Sequence, residues 1–110
     1  MAGFVIEALL AFFLVTIVLS TAVGSRASKF APLAIGMTVT LNIIMGGALT
    51  GAAFNPALVL GPMIATGDLS NAWLYVAAPI AGALIAVIVN RGLIWLAKEP
   101  ETATAPAPAE

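Results

Sequence analysis

Long apolar runs separated by short polar stretches are the main pattern of this chain. Three of them, residues 4–23, 33–49 and 73–96, approach the length of about 20 residues that a helix needs to cross a hydrocarbon core. Lipid cannot pair backbone N–H and C=O groups, so each run must pair its own, as a helix does. The runs are longer than barrel strands and do not alternate polar with apolar residues. The pattern therefore predicts three transmembrane helices within a membrane domain of residues 1–98.

A fourth apolar segment, residues 55–65, is too short to cross a membrane. As a helix it would be about 16 Å long, roughly half of the hydrocarbon thickness. It carries no charge and has no polar face, which disfavours the alternative of a helix lying on the membrane surface. We therefore predict a re-entrant half-helix, surrounded by protein or by a water-filled cavity. The predicted fold class is an all-α membrane protein with three transmembrane helices and one re-entrant half-helix.

Composition narrows the functional classes. Apolar residues make up 62% of the chain and charged residues only 8%, too few for the polar surface of a soluble domain. The net charge of −1 gives no reason to expect a nucleic-acid partner. The sequence lacks both Cys and His, so thiol chemistry and the commonest metal ligand are excluded. We expect no metal, no cofactor and no enzymatic activity, because no nucleophile–base set is visible.

The basic residues predict an orientation. Arg26 and Lys29 follow the first span, and Arg91 and Lys98 end the third. With three spans, both places lie on one side, which the positive-inside rule makes cytoplasmic. We therefore expect a plasma- or inner-membrane protein with its N-terminus outside. The Pro- and Ala-rich residues 99–110 are predicted to form a disordered cytoplasmic tail.

Residues around the start of the half-helix carry the candidate chemistry. Asn55 is a favoured N-cap residue and Pro56 a favoured first helical residue. If the Asn55 carbonyl oxygen caps the helix, its NH₂ donors remain free beside the positive end of the helix dipole. Such a site hydrogen-bonds water and repels cations. The small run Gly51–Ala53 before it lets backbone carbonyls line a narrow path; any helix, however, can begin with Asn-Pro, so the position between two full spans carries the argument.

The chain resembles the major intrinsic proteins, the aquaporins and glyceroporins, over roughly residues 4–90. The resemblance rests on several motifs in the same order. These are Glu7, residues 31–36 (APLAIG), residues 50–57 (TGAAFNPA), Gly61-Pro62 and residues 79–82 (PIAG). The matching region is the second half of the family, spans four to six with the second Asn-Pro-Ala loop. The resemblance implies a pore motif of Asn55, Pro56 and Ala57.

The resemblance also implies positions for a selectivity filter, and there the chain departs from the family. The family usually has Arg directly after the second Asn-Pro-Ala, whereas this chain has Leu58. A position that is His in many water-selective members corresponds to Ile43, and the loop position corresponds to Ala52. An aliphatic constriction lacks a cationic donor and hydrates poorly, so we expect less polar neutral solutes to be favoured over strict water selectivity, or dewetting of the pore.

Glu7 is the acidic residue inside a predicted span, and intramembrane charges are usually functional. The resemblance implies that its carboxylate accepts hydrogen bonds from backbone N–H groups of the re-entrant loop. The alternatives are a carboxylate that reaches the interface, and a proton relay, for which the sequence shows no partner.

Three further features predict packing or anchoring. Asn42 lies on a stripe of small and polar residues suited to contact between helices or to pore lining, and we favour contact. A series of small residues on the third span is suited to close helix packing: Ala78, Gly82 and Ala86. Three aromatic residues near the ends of that span are predicted interfacial anchors: Trp73, Tyr75 and Trp95.

The leading interpretation is a half-channel for water or small neutral solutes. The family builds its pore from two inverted repeats, and this chain has one, so we expect a complementary first half, as a separate subunit or as a missing N-terminal part. Two identical copies would need opposite insertion, which the one-sided basic residues disfavour. The resemblance also implies that the protein is surrounded by membrane lipid and that completed channels assemble into tetramers. The alternatives are a structural protein without transport, or a Glu7-dependent proton-coupled carrier.

Overall fold

Four helices account for most of the structure, a computed structural model that describes residues 1–24 and 27–97. They are α1 (Ala2–Thr21), α2 (Ala31–Thr50), α3 (Pro56–Thr66) and α4 (Ala72–Ala97). Within these residues α1, α2 and α4 are long and apolar enough to cross a membrane, and α3 is a shorter apolar helix. The predicted fold class is confirmed. Arg26, Lys98 and the predicted tail of residues 99–110 lie outside the described residues.

Small residues let α1 and α4 pack side by side in the same direction. A Cβ atom built on Gly82 would lie 1.9 Å from the carbonyl oxygen of Ala8, so glycine is needed where the two backbones meet. Ala78 and Ala86, one turn before and after Gly82, are completely buried. Towards the C-terminal ends of both helices, Asn90 Nδ2 donates to Ser20 Oγ at 3.2 Å. The small-residue series of α4 therefore packs against α1.

Helix α2 runs antiparallel to α1 and is attached to it by a buried amide. Asn42 Nδ2 donates to the carbonyl oxygen of Leu10 at 2.8 Å, and the Asn42 side chain is buried. Gly46, one turn later, lies against the Leu10 side chain, which would clash with a Cβ atom there. Asn42 thus contacts a neighbouring helix, as its position in the small and polar stripe suggested.

Helix α3 begins halfway along the bundle. It then runs back towards the end of the bundle where α2 ends and α4 begins. Phe54, Asn55 and Pro56 share a groove with the central residues of α1 and α4, among them Ala11 and Ala83. Further along α3, its side chains share a second groove with the last residue of α2 and with the first turns of α4. The helix ends at Thr66, where Gly67 adopts φ 76°. The segment therefore enters the bundle without crossing it.

Candidate pore loop

Asn55 caps α3 in the manner that its sequence position predicts. Its backbone is extended (φ −150°, ψ 118°) and its Oδ1 accepts a hydrogen bond from the Ala57 N–H at 3.0 Å. Pro56, which has no N–H to leave unpaired, is the first helical residue. The amide side chain is exposed, and within the described part of the chain its Nδ2 donates no hydrogen bond. Two N–H donors and the positive end of a helix dipole therefore meet at mid-depth.

The backbone that leads into Asn55 follows an unusual path. After Gly51 (φ 85°), Ala52 adopts φ 48° and Phe54 adopts φ 35°. These two residues carry side chains in the left-handed region, which costs of order 1–3 kcal/mol each unless the surroundings enforce it. Ala52, Ala53 and Phe54 are all buried. Contacts from neighbouring helices must therefore hold this loop in place.

Glu7 on α1 provides one such contact. Its carboxylate accepts hydrogen bonds from Ala53 N–H at 3.1 Å, Phe54 N–H at 2.6 Å and the Thr50 hydroxyl at 2.5 Å. Its exposed fraction is 0%, so the carboxylate does not reach the membrane interface. Hydrogen bonds to an ionised acceptor are about twice as strong as neutral ones. The geometry is that of a loop support.

Tyr75 was not predicted to take part in this loop. The sequence suggested an interfacial anchor; in the structure its hydroxyl donates to the carbonyl oxygen of Thr50 at 2.6 Å, in a partly buried position. Its neighbour Trp73 is exposed, stacks on Phe4 with ring centres 6.2 Å apart, and keeps a position compatible with anchoring. No signal in the sequence separates these two aromatic residues, because the hydroxyl finds its partner 25 residues away.

The three predicted filter positions differ in exposure. Ile43 on α2 and Leu58 on α3 are exposed, whereas the Ala52 side chain is only 5% exposed. Its Cβ lies 3.4 Å from the position that a Cβ on Gly46 would take, so the Ala52 side chain faces α2. Ala52 stays a predicted filter position, and its side chain is turned away from the exposed surface. Only its backbone can face an open path, together with that of Gly51 and Ala53.

Two grooves flank the loop. The deeper one, about 250 Å³, lies between α1 and α4 and is lined by Asn55 and by apolar side chains that include Leu14 and Ile80. The other, called the outer groove after the proposed orientation, is about 200 Å³, lies near the start of α4 and is lined by Thr50, Tyr75 and residues of α3. Both grooves are open on one side.

Comparison with known proteins agrees with this geometry. Residues 1–90 match the family model of the major intrinsic proteins. The chain belongs to this family. Its membership makes it an integral membrane protein, and the resemblance that its motifs suggested is confirmed.

Curated major intrinsic proteins are similar over most of the chain. Nodulin-26 of Glycine max is 43% identical over 83 residues, 74% of this chain and 31% of that protein. Aquaporin TIP1-2 of Zea mays is 41% identical over 103 residues, 91% of the chain and 40% of that protein. Aquaporin NIP6-1 of Arabidopsis thaliana is 39% identical over 105 residues, 94% of the chain and 33% of that protein. The chain thus spans between about a third and two-fifths of these relatives' length. No solved structure is significantly similar to it.

Proposed function

We propose that the chain is one half of a channel for the passive permeation of water or small neutral solutes. The observation that carries the proposal is the Asn55 amide, exposed at mid-depth at the tip of a half-helix. Its donors can bind a passing oxygen atom while the helix dipole repels cations and protons. The names of the curated relatives, which include aquaporins, support the same class of solute.

A complementary half would complete the passage. None of the residues of α3, all of them described, is buried, and the loop before it has irregular backbone. Non-helical backbone at membrane depth requires cover by protein or water. A first half, either a separate subunit or part of a longer chain, would supply the opposite wall and a second half-helix. Ile43 and Leu58, both exposed, would then be aliphatic positions on the wall and favour less polar neutral solutes.

Orientation and assembly are part of the proposal. Lys29 and Arg91 lie at the same end of the bundle, since α1 and α4 run in parallel and α2 starts where α1 ends. The positive-inside rule places this end in the cytoplasm and the N-terminus outside, so α3 enters from outside. Assembly of completed channels into tetramers follows the family.

The proton-coupled carrier is less favoured. Both oxygen atoms of Glu7 already accept hydrogen bonds from the loop, and a relay needs a carboxylate that can exchange its proton with solvent or substrate. A structural protein without transport remains the alternative that a flux measurement decides.

The test is water and glycerol flux in proteoliposomes. The chain is reconstituted alone and with the N-terminal half of aquaporin TIP1-2 of Zea mays, and shrinkage is followed by light scattering. We expect flux only with both halves, without proton coupling. Absence of flux with both halves would favour the structural alternative, and proton-dependent uptake that Glu7→Gln abolishes would favour the carrier.

A matched pair of variants assigns the flux to Asn55. Ser caps a helix about as well as Asn but lacks the NH₂ donors, so Asn55→Ser should preserve α3 and reduce water flux several-fold. Asn71→Ser, in the exposed loop before α4, should leave it unchanged. Equal flux in the two variants would remove Asn55 from the mechanism.

A further inference from the structure

The loop that presents Asn55 is held from two helices. Glu7 on α1 binds the N–H groups of Ala53 and Phe54. Tyr75 on α4 binds the carbonyl oxygen of Thr50, the last residue of α2. Among the hydrogen bonds of the described residues, the bond of Tyr75 is the one that joins α4 to residues 50–55. The loop thus has a support on each side, and sequence reasoning identified only one of them.

Thr50 connects the two supports. Its carbonyl oxygen accepts from Tyr75, and its hydroxyl donates to Glu7 and accepts from Ala52 N–H at 3.2 Å. The last carbonyl groups of a helix have no partner within the helix, so the phenol satisfies one that would otherwise be unpaired. Displacement of Thr50 would move its contact with Glu7. It would also move Gly51, the next residue, whose φ is positive.

The part of α4 that carries Tyr75 is itself fixed. Trp73 stacks on Phe4, and Leu74 lies within van der Waals distance of the position that a Cβ on Gly3 would take. Both contacts attach the first turn of α4 to the first turn of α1. The hydroxyl of Tyr75 is therefore a fixed reference point for the end of α2. The phenol also lines the outer groove together with Ala53.

We propose that Tyr75 is a positioning residue of the pore: its hydroxyl sets the backbone path from Thr50 to Asn55 and thereby the solute preference of the passage. The proposal rests on the channel function proposed above. The left-handed conformations of Ala52 and Phe54 persist only while their surroundings enforce them. Without the hydroxyl, residues 51–54 can relax towards ordinary backbone conformations, and the carbonyl groups and the Asn55 amide move with them.

Tyr75→Phe removes the hydroxyl and keeps the ring. The first readout is the ratio of water to glycerol permeability in proteoliposomes that hold both halves. This ratio does not depend on how much folded protein is present, so a role in stability alone would lower both permeabilities and leave it unchanged. We expect the ratio to change by about three- to tenfold, the factor that one hydrogen bond is worth. Thr21→Val, which removes a hydroxyl whose bond among the described residues goes to the Ile17 carbonyl oxygen within α1, should leave it unchanged.

The second readout does not require transport. Amide hydrogen exchange of the chain in nanodiscs should be about three- to tenfold faster in residues 51–55 of Tyr75→Phe, with no change in the inner half of α4. If wild-type protein shows no flux, the channel function fails, and exchange still decides whether Tyr75 holds the loop. Unchanged exchange in residues 51–55 would overturn the proposal, as would a changed exchange with an unchanged permeability ratio in an active channel.

Discussion

The seam between α1 and α4 is packed within the chain, whereas α2 and α3 leave large apolar side chains exposed. At the seam, Gly82 meets the backbone of Ala8 and the flanking alanines are completely buried. On α2 and α3, Ile43 and Leu58 are exposed and α3 buries none of its residues. The seam is complete within this chain, whereas α3 presents a polar helix tip that apolar lipid cannot satisfy. The first surface is packed within the chain, and the second is left exposed; the proposed complementary half would cover it.

The largest effect should come from closing the seam with a methyl group. Gly82→Ala places a Cβ atom 1.9 Å from the Ala8 carbonyl oxygen, a backbone atom that cannot move aside. We expect a loss of about 3 kcal/mol or more in the free energy of unfolding, at or beyond the upper end for overpacking. The measurement is the midpoint of denaturation in detergent.

Gly92→Ala is the matched control for the seam. It lies on the same helix, where a Cβ would meet no atom of another described element within 4 Å. It should be neutral or slightly stabilising, because alanine has the higher helix propensity. Equal midpoints for the two variants would contradict the close contact of α1 and α4.

Replacing the Glu7 carboxyl group by an amide should have the next largest effect. In Glu7→Gln an NH₂ group replaces one of two oxygen atoms that both accept hydrogen bonds, so a donor faces a donor. We expect a destabilisation of about 2–3 kcal/mol, together with faster exchange in residues 50–54. Asp68→Asn, at a fully exposed carboxylate, controls for loss of a charge. A harmless Glu7→Gln would show that the loop holds its path without the carboxylate.

A cationic side chain beside the half-helix should change selectivity more than stability. Leu58 is exposed, so Leu58→Arg has room in the described part of the chain. In the completed pore the guanidinium adds hydrogen-bond donors to an aliphatic position, and we expect the water-to-glycerol permeability ratio to rise. Leu84→Arg, at an exposed position of α4 that is turned away from α1, should impair insertion instead. An unchanged ratio would place Leu58 outside the constriction.

The smallest effect concerns the loop before α4. The Ser70 hydroxyl and the Ser70 N–H donate to Asp68 and hold the pKa of its carboxyl below the ordinary value. Because the pKa of Asp68 is lowered in the folded state, its ionised carboxylate stabilises the turn at pH values above the ordinary pKa of the group. This contribution is lost as the pH falls through the lowered pKa. An NMR titration of the Ser70 amide should show a midpoint below that of an unstructured peptide, and an equal midpoint would contradict the hydrogen bonds.

Length and motif predict the architecture better than they predict the loop. The apolar runs suffice for three spans, because crossing a membrane sets a minimum helix length. Asn55 and Pro56 suffice for the start of α3, because capping depends on adjacent residues. The left-handed conformation of Ala52 could not be predicted, since alanine disfavours it and only contacts from distant residues enforce it. The same holds for the bond between Tyr75 and Thr50, which depends on how α2 and α4 are placed in three dimensions.

The most direct test asks whether the face of α3 meets water or lipid. The sequence contains no Cys, so Leu58→Cys and Leu84→Cys are clean single-thiol variants. Their side chains are 59% and 60% exposed in this chain, and Leu84 lies on the side of α4 turned about 200° from Gly82. In membranes that contain the complementary half, a water-soluble methanethiosulfonate reagent should modify Leu58→Cys rapidly and leave Leu84→Cys intact. Equal protection of both thiols would place α3 in lipid or in a dry interface and contradict the channel.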